Sequence, residues 1–529
     1  MGGGSYYVHA DMGGPLPSKG ILGYRLNIMR QEGKGPVEDQ ITRGHYIVSG
    51  ALDAHITKKA LLQFDSSHYS SKDGDQDSWS FGTGVLHNFV PDASKDWGQN
   101  YTWVKTDGHQ YGLRLNWDIT NWLTLRTHYR LRNYDRGPEI YFFNNVNSDN
   151  TYTPTFYAWG TDHYRNDGGY TYLDAKFKTG FLRHLLTFGG ELDHYKYAET
   201  PDYTFTTTFA PVPVGTRVAV PEPAWQGTIN MGPLTVPYHS GNYSFVVGDV
   251  ITINRHWSVL AGAREAAIWG KYTPTVDNVV TMQSYQNDKK LVPDVSLVYK
   301  PIERLTTYFT YTEGYQSGGS APDNAKNHGQ QLPPDVSSEY EIGAKATLKN
   351  VFLTVAYFDI HQAEEYLDPN DLVYKQSGRD AYRGIEFSAT GKLKDRLSYI
   401  GSISYDSPTI SFNPTTPKLI GNMPNDAPNM TAKVYLSYKV PYLKGFAVNG
   451  GVNSIGMRYA DDANTDKLPQ YAVESLGVSY ATRMWDTPVT FRANTENLTN
   501  KNYWIDTYTT GAPRSVSFSA QFILGHKEN

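Results

Sequence analysis

Cysteine is absent from all 529 residues, which excludes disulfides, thiolate zinc sites and cysteine nucleophiles. Long apolar runs are absent too. Hydrophobic residues make up 39% of the chain, mean hydropathy is −0.52, and no stretch approaches the ~18 apolar residues of a membrane helix. A helical membrane protein is thereby excluded. A membrane barrel is not, because its strands need only about half of their residues apolar. Nor does one sign of charge prevail: 48 basic side chains face 53 acidic ones, for a net −5, and nothing marks a nucleic-acid partner. No Gly-x-Ser-x-Gly elbow, Walker loop or dinucleotide fingerprint occurs. No catalytic activity and no cofactor is therefore expected. Met1-Gly-Gly-Gly-Ser5 has neither the basic segment nor the apolar core of a secretory signal. Residues 1–5 read as a linker or a truncation remnant.

What the chain does have is tyrosine, 41 of them within 14% aromatic residues, and 48 glycines. The dominant pattern has period two. Leu113, Leu115, Trp117 and Ile119 alternate with Gly112, Arg114, Asn116 and Asp118, and Leu123, Leu125, Thr127, Tyr129 and Leu131 alternate with Arg126, His128, Arg130 and Arg132. Successive strand side chains point to opposite faces, so each segment has one apolar and one polar face. The pattern recurs at 22–28, 340–348, 432–440 and 516–524, and no stretch shows a comparable helical period. The chain reads as all-β.

The connections alternate as well. Short turns are expected near 57–58, 119–121, 179–183, 253–256, 300–303, 349–350, 392–395, 440–444 and 482–487. Between them fall long polar, aromatic, Gly/Pro-rich connections near 71–108, 133–169, 198–241, 270–290, 316–336, 411–427 and 459–467. Tight turns at one end and long loops at the other are the signature of a transmembrane antiparallel β-barrel. Tyrosines and tryptophans near strand ends, among them Tyr111, Trp117, Trp122, Tyr299, Tyr438 and Trp485, suit the aromatic girdles of such a barrel. About 21 strands are counted, the last centres lying near 474, 497 and 518. Single-chain bacterial barrels have even strand numbers, so one ascending strand before Tyr6 is expected to be missing.

Several segments resemble consecutive strands and loops of TonB-dependent outer-membrane receptors: Tyr308-Phe-Thr-Tyr-Thr-Glu-Gly-Tyr315, Glu339-Tyr-Glu-Ile-Gly-Ala-Lys345, Arg383-Gly-Ile-Glu-Phe387, Asn422-Met-Pro-Asn-Asp-Ala-Pro428, Leu468-Pro-Gln-Tyr471, Asn497-Leu-Thr-Asn-Lys-Asn-Tyr503 and Pro513-Arg-Ser515. The strand ending in Phe522 resembles the family's barrel terminus, and the siderophore-receptor branch is the most similar. The resemblance implies a barrel of the 22-strand type over residues 6–524 with a short tail at 525–529, in the outer membrane of a Gram-negative bacterium. It implies uptake of a ferric siderophore or other bulky chelate, energised through TonB. The expected partners are that chelate, outer-membrane lipid and lipopolysaccharide. TonB would be reached only through a plug domain, which is expected to be missing from residues 1–529. The alternative is a plugless passive channel.

Substrate contacts are expected in the aromatic stretch 141–164: Tyr141, Phe142, Phe143, Tyr152, Phe156, Tyr157, Trp159 and Tyr164. Arg136, Arg165 and His163 stand near enough in sequence to meet an anionic chelate, and Tyr315 and Tyr366 form a second tier. Packing of the loops on themselves, or contact with lipopolysaccharide, is an equal expectation for any one of these aromatics. Asp73-Gly-Asp75-Gln-Asp77 has the carboxylate spacing of a calcium loop, but position twelve is Gly84, so a solvated loop is favoured. His361-Gln-Ala-Glu364-Glu365 should follow a strand rather than sit on a helix, which rules out zincin geometry, and no metal is assigned. Replacing the terminal aromatic, Phe522→Ala, should lower the yield of assembled barrel, read as the heat-modifiable band in detergent gels; an unchanged yield would contradict the assignment of the terminus.

Overall fold

Alternating sequences become strands here because each strand satisfies its backbone through two neighbours while sorting side chains to two faces. The computed structural model describes residues 4–525 apart from 19, 39, 75–77, 83, 200–203, 227–234, 273–274, 277–278, 281–282 and 323. Asp75 to Asp77 of the acidic loop therefore lie outside the described residues. One sheet holds 25 strands. Four short ones, Ser78–Phe81, Thr151–Trp159, Thr204–Thr208 and Val212–Pro213, attach at its side. The other 21 form an antiparallel meander from Ser5–Pro15 to Ser515–Phe522, each paired with the next. This is the barrel wall.

Turns and loops segregate as expected. Trp485 and Asp486 take φ of 48° and 62°, and Lys394 and Asp395 take 48° and 54°; left-handed residues in tandem suit the right-handed twist of the strands that they join. The expected strand centre near 497 lies earlier, in Thr487–Glu496, and Asn497 (φ 48°) opens the last loop. Two differences are larger. The connection expected at 133–169 is mostly β structure: Leu123–Val146 and Thr151–Trp159 form a hairpin turned at Asn147–Asn150, and Asp162–Thr179 descends from it. Its Thr, Tyr and Phe content favours strand once a register is available, and Asn150 supplies the left-handed turn residue (φ 65°). His361 to Glu365 also lie within a strand, Val351–Leu367, rather than beyond one.

An apolar band ~25 Å tall on strands tilted by 35–45° takes about ten residues of each strand. Many wall strands are longer, such as Leu182–Glu199 and Tyr374–Leu393, so their loop-side ends project beyond the bilayer. Outward faces carry side chains such as Leu192 (50% exposed) and Phe245 (57%). Inward faces are polar, exemplified by Arg126, which donates to Asp174 at 2.5 and 2.9 Å while Thr187 donates to the same carboxylate at 2.7 Å.

Among the described residues no pairing joins Ser5–Pro15 to Ser515–Phe522. Both of these edge strands run toward the short-turn side, so they cannot pair antiparallel with each other. One strand running the opposite way would satisfy both.

Candidate functional site

Among the described residues, the largest fully buried aromatic side chains lie above the wall, whereas smaller side chains such as Val489 and Ile410 are buried in wall strands. Trp79 (0% exposed), Trp97, Val146, Tyr152, Leu468 and Trp504 form one cluster. They come from the connection after Ala60–Asp73, from the 147–150 hairpin and from the last two loops. The Trp79 ring meets Trp97, Tyr152 and Trp504 at centroid distances of 5.4, 5.4 and 6.4 Å. Each fully buried Trp contributes about 4–6 kcal/mol of apolar burial at 25 cal/mol/Å². Hydrogen bonds complete the tie. Trp79 N–H donates to the Tyr508 carbonyl at 2.8 Å and Trp504 Nε1 to the Phe89 carbonyl at 3.0 Å. His87 places Nδ1 2.5 Å from Asp466 Oδ2 and Nε2 2.8 Å from the Thr507 carbonyl. Arg458 Nη2 donates to the carbonyls of Trp504 and Ile505 at 2.8 and 2.6 Å. Loops from both ends of the chain are thus locked into one cap.

The hairpin 139–159 sorts the expected substrate aromatics by parity. Phe142 (2% exposed) and Phe156 pack with Ile140 and Ala158 against Tyr101, Trp103, Phe205 and Trp225, and Tyr152 joins the Trp79 cluster. These three are occupied by loop packing. On the opposite face Tyr141 stacks on Tyr157 at 5.3 Å, with Trp159 and Phe143 set edge-on at 5.8 Å. Tyr141 is itself buried, whereas Phe143, Tyr157 and Trp159 are partly exposed. The structure therefore brings Tyr141, Phe143, Tyr157 and Trp159 together as one aromatic face.

The expected cations are already paired. Arg136 Nη2 donates to Glu139 Oε1 at 2.5 Å, Arg165 Nε to Asp167 Oδ1 at 3.0 Å, and His163 Nδ1 lies 2.7 Å from Asp135. Tyr315 shares the lipid-side register of Phe309 and Tyr311, and the Tyr366 hydroxyl meets Ser377 Oγ at 2.7 Å.

Tyr164 belongs to a group that sequence reading missed. Register pairs Tyr134 with Tyr164, Tyr164 with Tyr197 and Tyr197 with Tyr238, so all four share the lumenal face of four adjacent strands, with Tyr195 two residues from Tyr197 on the same side. Tyr134 and Tyr164 stack at 4.5 Å, Tyr164 and Tyr197 lie 5.2 Å apart, and Tyr195 and Tyr238 lie 5.5 Å apart. The Tyr164 hydroxyl donates to Asp162 Oδ2 and the Tyr197 hydroxyl to Asp162 Oδ1, both at 3.0 Å. Arg132 borders the group, its guanidinium 4.6 Å from the Tyr134 ring and donating to the Tyr69 hydroxyl at 2.8 Å. Among the described residues no carboxylate pairs with Arg132. The only local sequence signal was the alternation Tyr195-Lys196-Tyr197.

A second polar group sits at the loop-side ends of Val351–Leu367 and Tyr374–Leu393, beyond the apolar band. Glu364 and Asp380 are buried there, Asn413 Nδ2 donates to Glu364 at 3.2 and 3.4 Å, and Asp380 Oδ1 has no hydrogen-bond partner among the described residues. Burial first, then the charges of Asp380 and Asp462, push Glu364 up to about 7. Burial and Asp462 push Asp380 up to about 6.

Residues 57–498 match the family described as "TonB dependent receptor-like, beta-barrel". The ferrichrome receptor FcuA of Yersinia enterocolitica is 26% identical over 518 residues, covering 93% of this chain and 65% of that protein. The ferrioxamine receptor of the same organism is 24% identical over 392 residues, covering 70% and 52%. The chain thus spans about half to two thirds of the length of these relatives. Among solved structures, the ferric preacinetobactin receptor BauA of Acinetobacter baumannii superposes with a TM-score of 0.80 at 22% identity, over 98% of this chain and 79% of that one.

An acid whose folded pKa is raised stabilises the fold most when protonated. The contribution of Glu364 is full below its ordinary 4.5 and is lost as pH rises through about 7. Hydrogen-exchange protection at the loop-side ends of Val351–Leu367 and Tyr374–Leu393 should therefore fall between pH 4.5 and 7, by at most roughly 3.5 kcal/mol at 1.4 kcal/mol per pKa unit. Glu364→Gln should flatten that dependence, and a slope unchanged in the variant would refute the assignment.

Proposed function

The chain belongs to the TonB-dependent receptor β-barrel family, and we propose that it forms the wall of an outer-membrane receptor that takes up a ferric siderophore or a similarly bulky chelate. In the intact receptor, uptake would be energised through TonB acting on a plug within the barrel. The observation that carries the substrate class is the lumenal tyrosine group Tyr134, Tyr164, Tyr195, Tyr197 and Tyr238 with Arg132 at its edge.

That surface matches the chemistry of a ferric chelate. Such a ligand is broad, rigid once metal-bound, and coated with oxygen acceptors, commonly with net negative charge. Phenol rings give large contact area for the loss of few rotatable bonds, and their hydroxyls donate to acceptor oxygens. Arg132 supplies a positive charge that stacking on Tyr134 holds in place and that no described carboxylate neutralises. The inner wall below continues polar on the same strand as Arg132, with Arg126 paired to Asp174 and Arg130 lying 3.6 Å from Asp65. The partly exposed Phe143, Tyr157 and Trp159, backed by the buried Tyr141, add a first contact above the mouth.

The test is a fluorescence-quenching titration of the detergent-purified chain with ferrichrome, ferrioxamine B, ferric citrate and a ferric catecholate. Tyr164→Ala and Arg132→Ala should each weaken the chelate that binds by about tenfold, near 1.4 kcal/mol, as expected for a ligand-contacting aromatic or arginine. Phe142→Ala should instead lower stability, by about 3–5 kcal/mol for a buried Phe, and leave affinity in the folded fraction unchanged. If folded Tyr164 and Arg132 variants bind as tightly as the unaltered chain, the lumenal site is wrong.

A further inference from the structure

Five successive short turns each carry an exposed cation at or beside the tip: Arg255, Arg304, Lys349, Lys394 and Lys444. In chain order these turns follow Thr235–Thr252, Gln283–Ile302, Asp335–Leu348, Tyr374–Leu393 and Met430–Lys439. A meander puts every second connection on the same rim, so the five cations share the short-turn side, which faces the periplasm in such barrels. Two strand spacings separate each from the next, about 10 Å, and together they make an arc about 40 Å long. Among the described residues none of the five has a carboxylate partner. Glu303 and Asp395 are the acids of these turns, and Lys300 and Arg396 stand beside them. Elsewhere on the rim the turns at 119–122, 180–181 and 485–486 hold no cation. The chain as a whole is net −5, so the arc is a local concentration of positive charge and not a general excess.

Apolar side chains alternate with these cations. Tyr442 is 93% exposed, and Ile302, Leu348 and Leu393 are each more than half exposed. Such side chains at the tips of turns gain nothing from open water, whereas the headgroup level of a bilayer takes them in. Just inside the arc, on the lipid-facing side, Trp257 stacks on Tyr299 at 4.3 Å. Register continues that face from Tyr299 to Leu297 and Val295, both exposed. The arc therefore runs directly into the apolar band. Cations on long alkyl stems, interleaved with exposed aromatic and aliphatic side chains, make up a surface that lies in the headgroup layer.

We propose that this arc binds anionic phospholipid headgroups of the inner leaflet, with Arg255, Arg304, Lys349, Lys394 and Lys444 on headgroup oxygens and Ile302, Leu348, Leu393 and Tyr442 against the glycerol and upper acyl chains. A lipid is favoured over a free anion because cations about 10 Å apart stand too far from one another to share one small ion. It is favoured over an acidic protein because the row follows the rim of the wall and continues into the surface that lipid covers. Lipids of net negative charge gain most from the arc, since a zwitterionic headgroup brings its own cation beside the phosphate. The surface lies at the opposite end of the barrel from the tyrosine group and does not depend on which chelate is bound.

The experiment is a native mass-spectrometric titration of the detergent-solubilised full chain with phosphatidylglycerol and with phosphatidylcholine of the same acyl chains, alongside inorganic phosphate and a polyglutamate peptide. The unaltered chain should retain phosphatidylglycerol at least about tenfold better than phosphatidylcholine, as several cations near an anionic headgroup layer allow. Lys349→Gln/Lys394→Gln/Lys444→Gln should bring the two lipids to within about twofold of each other. The corresponding triple arginine variant should keep the preference, and so should Lys58→Gln/Lys59→Gln, on a turn outside the arc. Heat-modifiable mobility reports folding. If the triple glutamine variant does not fold, the two lipids compared on the unaltered chain still decide. Equal retention of both lipids by the unaltered chain, or an undiminished preference in the folded triple glutamine variant, overturns the proposal. An equal loss in the Lys58/Lys59 variant overturns the assignment to this arc. Displacement by millimolar inorganic phosphate would make the arc a free-anion site, and tighter retention of polyglutamate than of phosphatidylglycerol would make it a protein-docking site; either result also overturns the proposal.

Discussion

A backbone amide in hydrocarbon has no water to turn to, so every N–H and C=O that crosses the bilayer must find its partner in the wall. Most of the architecture follows from that. Strands pair with both neighbours along most of the bilayer-crossing length, and pairing fixes register. Register in turn fixes which side chains face lipid and which face the lumen, because a slip of one residue would exchange the two sets. Leu192 and Phe245 therefore meet lipid while Arg126, Asp174 and Thr187 satisfy one another inside. The same constraint gives meaning to the seam between Ser5–Pro15 and Ser515–Phe522. Two edges that run in the same direction need one strand of opposite direction between them, and in lipid an unpaired row of amides costs several kcal/mol per group.

The wall is thin, and its apolar side is reserved for lipid, so it has no ordinary core. The close-packed interior has moved to the loops. Trp79, Trp504, Tyr152 and Phe142 are as buried as the centre of a soluble domain, and His87 and Arg458 bind loop carbonyls from the far end of the chain. Anchored loops are what a receptor mouth requires, since a ligand pays less entropy on a surface that is already ordered. The cap also divides labour among aromatics. Those on one face of the hairpin hold it in place, and those on the other are left for contact.

This division explains what was legible in the sequence and what was not. Period-two alternation is local, so the two-faced strands, the tight turns such as Lys394–Asp395 and the wall of 21 strands could be read directly. The alternation of turn side and loop side could be read as well, because composition changes at each connection. The pairing of Trp504 with the Phe89 carbonyl, 415 positions away, left no local trace. The hairpin aromatics illustrate the difficulty. Phe142 and Phe143 are neighbours of identical chemistry, and only packing against Phe205 and Trp225 makes one structural and the other available. Charge was misleading for a related reason: Arg136 and Arg165 stand beside acids that their strands bring within 3.0 Å, whereas Arg132 borders tyrosines.

The strands between Leu123 and Tyr272 join these threads. Moving one residue along each strand carries the wall from Tyr164, Tyr197 and Tyr238 to Arg165, Lys196 and His239. One register thus sets a tyrosine surface inside and a charged rim outside at nearly the same height. The two surfaces are mechanically coupled, since neither row can shift along the strand axis without the other. Ring stacking at 4.5 and 5.2 Å depends on that register, at strand ends that extend past the part of the wall that the bilayer supports. The outward basic side chains and the inward tyrosines are, in this region, two consequences of a single hydrogen-bond ladder.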